Sequence, residues 1–193
     1  MASPFPHEDK TTASRFEAEA MPFMDALYHK ALRLTRSPDD ASDLVQETCL
    51  RAYRAFASYQ EGTNCKAWLF TIQYSIFVNK YRKERREPET VSMDELEEPF
   101  HRALSDDRWD ADFAAMADWK GPEVSEALDK LPEDFRAAVL LVDVEELTYE
   151  EAAGVMNCPV GTLRSRLFRA RRMLFLELRD YARKTGFIRA TQD

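Results

Sequence analysis

Apolar residues recur at helical intervals along two stretches of this chain, and between the two that order is lost. In the first stretch Phe23, Leu27, Ala31 and Leu34 return three to four positions apart, which predicts a helix from about Phe16 to Arg36. A second helix is expected from Ser37, with Ser as N-cap, Pro38 in the first helical position, and Asp39 and Asp40 where carboxylates complement the helix dipole. Its expected core stripe is Val45, Cys49, Ala52 and Phe56. Asp43, Gln46, Glu47 and Leu50 fall on another face, which either meets water or docks a basic partner. After the loop FASYQEGTN, Asn64 caps a long predicted helix from Cys65 to about Arg86. Leu69, Ile72 and Ile76 lie along one side of that helix and need covering. Trp68, Phe70, Tyr74, Phe77 and Tyr81 exceed what one buried stripe can use, and they interleave with Lys66, Gln73, Asn79, Lys80 and Arg82. Aromatic rings beside cations are what single-stranded nucleic acid requires, at ~1 to 3 kcal/mol per stacked base.

The second stretch opens at Leu131-Pro132-Glu133-Asp134 with an apolar helix, Phe135 to about Glu146, and Pro132 at its first position. Thr148 and Glu151 have capping-box spacing at the start of a short helix that ends by Met156. Asn157 suits the left-handed conformation that closes a helix, and Cys158-Pro159 precedes a new helix, Val160 to about Arg179. A short helix, a tight turn and a longer helix give helix-turn-helix spacing. In the longer helix Leu163, Leu167, Ala170 and Leu174 form the expected buried stripe. Thr162, Ser165, Arg166, Arg169 and Arg172 share a neighbouring face, with Arg164 and Arg171 on the flank. Five arginines and no carboxylate lie between Val160 and Leu176, so the helix forgoes the mixed-sign pairs of a solvated surface. Arginine supplies the bidentate fork that reads guanine in the major groove, and short Thr and Ser side chains let the backbone approach.

Charge sharpens this division. The 193 residues carry a formal net charge of -8, which alone argues against a basic nucleic-acid coat. Residues 1–87 hold 13 basic and 12 acidic side chains, net +1; residues 88–134 hold 4 and 15, net -11; residues 135–193 hold 10 and 8, net +2. The acidity therefore belongs to a middle segment with prolines at 88, 99 and 122 and no sustained stripe. An all-α fold is expected, with two small helical domains joined by an acidic linker and the second a helix-turn-helix domain. The expected boundaries are a tail over 1–15, a domain over 16–87, the linker over 88–122, a domain over 123–185 and a tail over 186–193. Five glycines leave little for phosphate-cradling loops. Cys49, Cys65 and Cys158 form no CxxC pair, which points to half-buried thiols rather than disulfides or zinc. His7, His29 and His101 are isolated, and no pattern of catalytic, metal-ligating or cofactor-binding residues emerges. No secretory leader or membrane-spanning run is present, so a soluble cytoplasmic protein is expected.

The stretches RSPDDASDLVQETCLRAYRAF, GTNCKAWLFTIQYSIFVNKYRK and LPEDFRAAVLLVDVEELTYEEAAGVMNCPVGTLRSRLFRARRML resemble the bacterial extracytoplasmic-function (ECF) sigma factors, specificity subunits of RNA polymerase. The resemblance implies that Asp43, Gln46, Glu47 and Leu50 dock on the coiled coil of the polymerase's largest subunit. It implies that the loop Tyr59 to Asn64, with Lys66, Trp68, Gln73, Tyr74, Asn79 and Arg82, melts the minus-10 promoter element and holds a flipped base. Arg164, Ser165, Arg166, Phe168 and Arg169 are similar to the readers of the duplex minus-35 element, and the linker to the segment that threads through polymerase. LPEDFRAAVLLVDVEE and Tyr181-Ala182-Arg183 are similar to an oxidative-stress branch restrained by a zinc-containing anti-sigma factor. Core RNA polymerase, promoter DNA and an anti-sigma factor are thus the expected partners of a monomer.

The alternative from residues alone is a dimeric helix-turn-helix regulator that acts on a palindrome without polymerase. A polymerase subunit with a net -11 linker should instead be repelled by free DNA. The isolated chain is expected to bind promoter duplex weakly at physiological salt and tightly only with core polymerase. Gel-shift titrations with and without polymerase check this, and tight binding by the free chain would contradict it.

Overall fold

The computed structural model describes residues 10–82 and 121–185, and every regular element among them is helical. The expected linker up to residue 120, the cluster Lys83, Arg85 and Arg86, and the outermost ends of both tails lie outside the described residues. Compactness divides the chain into two units, Met1–Arg86 with Glu150–Cys158, and Glu87–Tyr149 with Pro159–Asp193. The division departs from the expected boundaries in the short segment 150–158, which the sequence reading kept within the second domain.

The first unit begins with α1, Lys10–Ala20, followed by a 3-10 turn at Met21–Phe23 and α2, Met24–Thr35. The single helix expected over Phe16 to Arg36 is therefore two. Pro22 lacks an N–H, and its ring crowds the preceding turn, so α1 stops just before it. The expected flexible tail is also shorter, because residues 10–15 are helical. Phe16 anchors α1 by edge-on contacts to Tyr53 and Phe56, both at 5.3 Å between ring centres. Leu27, Ala31 and Leu34 are buried on α2 as the pattern required. The helix closes on Arg36 in the left-handed region, φ 59°, whose N–H donates to the Leu32 carbonyl at 2.8 Å.

Helix α3, Pro38–Ala55, starts as expected: the Ser37 hydroxyl accepts from the Asp40 N–H at 3.3 Å, with Asp39 and Asp40 in the first turn. Ala52 and Phe56 are buried as expected, but the earlier part of the stripe shifts by one residue, to Leu44 and Thr48 with Ala41 ahead of them, while Val45 and Cys49 are half-buried. Thr48 is tolerated inside because its hydroxyl donates to the Leu44 carbonyl at 2.6 Å and leaves its methyl to pack. Helix α4, Cys65–Phe77, is capped by Asn64 and runs into a π turn, Val78–Arg82. Leu69, Phe70, Ile76 and Phe77 fill the core. The Lys30 ammonium is buried 4.2 Å from the Phe70 ring centre.

The second unit opens with α5, Pro122–Lys130, a helix the acidic pattern concealed: Gly121 supplies φ 153°, Pro122 sits in the first turn, and Ala127 and Leu128 are buried. Helix α6, Glu133–Val139, has Pro132 as its N-cap residue rather than its first helical residue, and continues as a π turn over Leu140–Val144. Next in the chain are α7, Tyr149–Val155, and α8, Val160–Thr185. Between them Asn157 adopts φ 48°, Cys158 N–H donates to Ala153 at 3.1 Å and Asn157 N–H to Gly154 at 3.2 Å, the paired bonds of a left-handed helix stop. Helix α8 buries Leu163, Leu167, Ala170, Leu174 and Leu178. It extends beyond the expected end at Arg179, so Tyr181 to Thr185 belong to the helix.

The Ser37 cap satisfies an N–H that the first turn of α3 leaves open. Ser37→Ala is expected to cost ~1 kcal/mol of stability, read as a lower denaturation midpoint, whereas Ser37→Asp retains the midpoint.

Candidate nucleic-acid interface

Helix α8 carries the densest basic charge, and its arginines divide into distinct groups. Arg166 and Arg171 flank the buried leucine stripe on opposite sides, as the ~100° per residue of a helix dictates. Each meets a carboxylate from an earlier element: Arg166 Nη2 lies 2.8 Å from Asp134 Oδ2 on α6, and Arg171 donates bidentately to Asp143, Nε to Oδ2 at 3.1 Å and Nη2 to Oδ1. Burial opposes the Arg171 charge, but Asp143 and the Tyr149 phenol outweigh it and raise its pKa above the ordinary value. The self-repulsion read from the sequence is thus relieved by acids 28 to 32 positions upstream.

Arg172, expected on the reading face, is 4% exposed, which removes it from the open surface; the period alone could not show what covers it. Arg166, expected on the same face, is half-buried and paired with Asp134. Thr162, Arg164, Ser165 and Phe168 are exposed, and Arg169 is half-buried. Arg164 Cζ lies 5.5 Å from the centre of the Tyr149 ring. The sequence reading missed Asp134, Asp143 and Tyr149, since nothing in a chain pattern pairs residues so far apart.

In the first unit, Asp43, Gln46 and Leu50 of α3 are exposed and Glu47 is half-buried, paired with Arg51 one turn on at 2.7 Å. Leu50 is 45% exposed on the face that carries Asp43 and Glu47. The loop before α4 is built on rings: Phe56 stacks on Tyr59 at 5.6 Å, and Tyr59 lies 5.1 Å from Trp68. Tyr59 is buried, and its hydroxyl donates to the Thr63 carbonyl at 2.8 Å across the loop. Burial pushes its pKa up, as it does those of the Cys49 and Cys65 thiols. Asn64 uses its side-chain oxygen on the Ala67 N–H at 3.1 Å.

Three expected minus-10 residues are therefore interior. Tyr59 braces the loop, Tyr74 packs near Phe77, and Gln73, fully buried, donates to the Leu27 carbonyl at 2.8 Å to tie α4 to α2. Here a polar residue on the helical register was mistaken for a surface one, because its partner is a backbone carbonyl elsewhere. Asn64 and Asn79 are exposed, and Lys66 and Trp68 half-buried; the Arg82 side chain lies outside the described residues. Among the described residues no cluster of His, Cys, Asp or Glu could hold a metal ion, and no helix is long and apolar enough to cross a membrane.

These modules, one ending in a helix-turn-helix and one carrying an aromatic loop on a helical core, place the chain among all-helical proteins of two modules. Residues 21–87 match the Sigma-70 region 2 family and residues 122–174 the Sigma-70 region 4 family. The chain is 41% identical over 144 residues to the ECF RNA polymerase sigma factor EcfG of Rhodopseudomonas palustris, covering 75% of this chain and 74% of that one. It is 35% identical over 191 residues to the ECF sigma factor SigE of Mycolicibacterium smegmatis, covering 93% and 70%. Among solved structures, the sigma factor RpoE in complex with the anti-sigma factor NepR from Bartonella quintana is similar at a TM-score of 0.65 and 30% identity, covering 86% of this chain and 98% of that one. CnrH in complex with the cytosolic domain of CnrY shares the fold at a TM-score of 0.59 and 22% identity, covering 88% and 94%. The chain belongs to the ECF sigma factors of RNA polymerase. Members of this family are transcription initiation factors rather than catalytic enzymes. Helix α1 starts ahead of the region 2 match, so its packing on Tyr53 and Phe56 is an addition to the matched core.

Arg171 and Arg164 should behave differently despite their proximity in sequence. Removing the partner of a shielded carboxylate costs ~1–3 kcal/mol, whereas an exposed side chain costs within ~0.5 kcal/mol. Urea denaturation is expected to show Arg171→Ala clearly destabilised and Arg164→Ala close to wild type.

Proposed function

We propose that this protein binds core RNA polymerase and directs promoter-specific initiation, with duplex reading assigned to α8 and strand opening to the loop before α4. The observation that carries this is the sorting of α8: Arg166 and Arg171 are held by Asp134 and Asp143, while Thr162, Arg164, Ser165 and Phe168 stand exposed with Arg169 beside them. That exposed set offers a fork for guanine edges, short hydroxyls for close approach, and an apolar ring for a thymine methyl, toward a minus-35 element. Asp43, Gln46, Glu47 and Leu50 are the proposed docking face for the coiled coil of the largest polymerase subunit; an apolar centre ringed by carboxylates fits a partner helix with basic residues.

At the minus-10 element the division of labour is different. Trp68, half-buried and 5.1 Å from the Tyr59 ring, takes the stacking face of an unpaired base, with Lys66, Asn64 and Asn79 on the strand's polar groups and Arg82 assigned there by the sequence resemblance alone. Tyr59, Gln73 and Tyr74 act by holding that surface in shape. Polymerase supplies the phosphodiester chemistry. An anti-sigma factor restrains the protein when initiation is not wanted. The likeness to RpoE, whose solved structure holds the anti-sigma factor NepR, supports a partner of the anti-sigma class.

In vitro transcription with core polymerase on a genomic promoter library tests the proposal and yields the recognised sequence. Wild-type protein is expected to start transcripts at a defined promoter class. With Trp68→Ala, duplex promoter binding by the holoenzyme persists while permanganate reactivity of the melted thymines falls. Stable dimers that bind a palindrome without polymerase would overturn it.

A further inference from the structure

We infer that Tyr149 is a positioning residue for base recognition: its ring is the platform from which Arg164 is presented to DNA. The inference rests on the proposed entry of α8 into the major groove. Arg164 is exposed on a long flexible stem, and no carboxylate lies on α8 between Val160 and Leu176 to order it. What stands beside it is the first residue of α7, with the ring centre 5.5 Å from Cζ.

The kind of contact matters as much as its existence. Arg166 and Arg171 are held by carboxylates, which occupy N–H donors of the guanidinium. A ring attracts the cation through its quadrupole and consumes no donor, so all five N–H groups of Arg164 remain for a base edge. Ordering is thereby separated from reading, which is what a bidentate contact to guanine needs.

The test uses holoenzyme and duplexes randomised across the minus-35 element, sequenced after selection, for wild type, Arg164→Ala, Tyr149→Leu, Tyr149→Phe and the Tyr149→Leu/Arg164→Ala double variant. A cation–π contact at an exposed site corresponds to about a two- to fivefold change in preference. Tyr149→Leu is expected to relax the same base position as Arg164→Ala by that factor. Tyr149→Phe, which keeps the ring, should retain the preference, and the double variant should be no more relaxed than Arg164→Ala. A uniform loss over all sequences, an unchanged preference, or additive effects would overturn the inference. If Arg164→Ala itself alters no base preference, the groove reading of α8 falls and this inference with it; if only Tyr149→Leu is silent, the platform alone is wrong. A measurement on the wild-type chain guards against an unfolded variant: the Arg164 side-chain protons are expected to be shifted upfield by the tyrosine ring current, and unshifted resonances would refute the contact.

Discussion

Concentrated positive charge on one helix repels itself, and the carboxylates that neighbouring elements bring to it decide how much of that repulsion remains. In α8 the relief is local and two-sided: Asp134 takes Arg166, and Asp143 takes Arg171, on opposite margins of the leucine stripe. The two carboxylates lie on α6 and on the π turn that follows it, so α6 and α8 are joined electrostatically along the line where they bury Leu140, Leu141, Leu163 and Leu167. Arg166 and Arg171 thus meet carboxylates, whereas Arg164, farther out, lies beside the Tyr149 ring.

The first module meets the mirror problem, too many aromatic rings for one core. Helix α1 resolves part of it, since Phe16 joins Tyr53, Phe56, Tyr59 and Trp68 in one run of ring contacts that ends at the loop before α4. Tyr59 is buried and its hydroxyl spans to Thr63, which braces the loop beside Trp68. On the proposed function, such bracing reduces the ordering cost that a base would otherwise meet on stacking. The docking proposed for α3 needs less machinery, because Asp43, Gln46 and Leu50 share one face of a regular, well-capped helix.

Much of this was legible along the chain. The Ser37 cap, the Asn64 cap, the left-handed stop at Asn157 and the stripe from Leu163 to Leu174 are local events, governed by neighbours within one or two turns. The failures were failures of distance. The stripe of α3 settled on Leu44 and Thr48 rather than Val45 and Cys49, because the direction of the core is set by the helices it meets. Gln73 looked like a surface amide until the Leu27 carbonyl became its partner. Helix α5 was hidden by the acidic residues around it, although Pro122 marked its start.

What the sequence determined by itself is most of the helices, the Ser37 and Asn64 caps, the left-handed stop at Asn157 and the family resemblance, because these depend on period, propensity and residue order. Only the tertiary structure decided which arginines face outward and which aromatics are rings of the core. The five arginines between Val160 and Leu176 are chemically alike until folding brings Asp134 and Asp143 to two of them and a tyrosine ring to a third. A side chain's availability is fixed by what packs against it, and those neighbours lie tens of residues away, where no local period can reach.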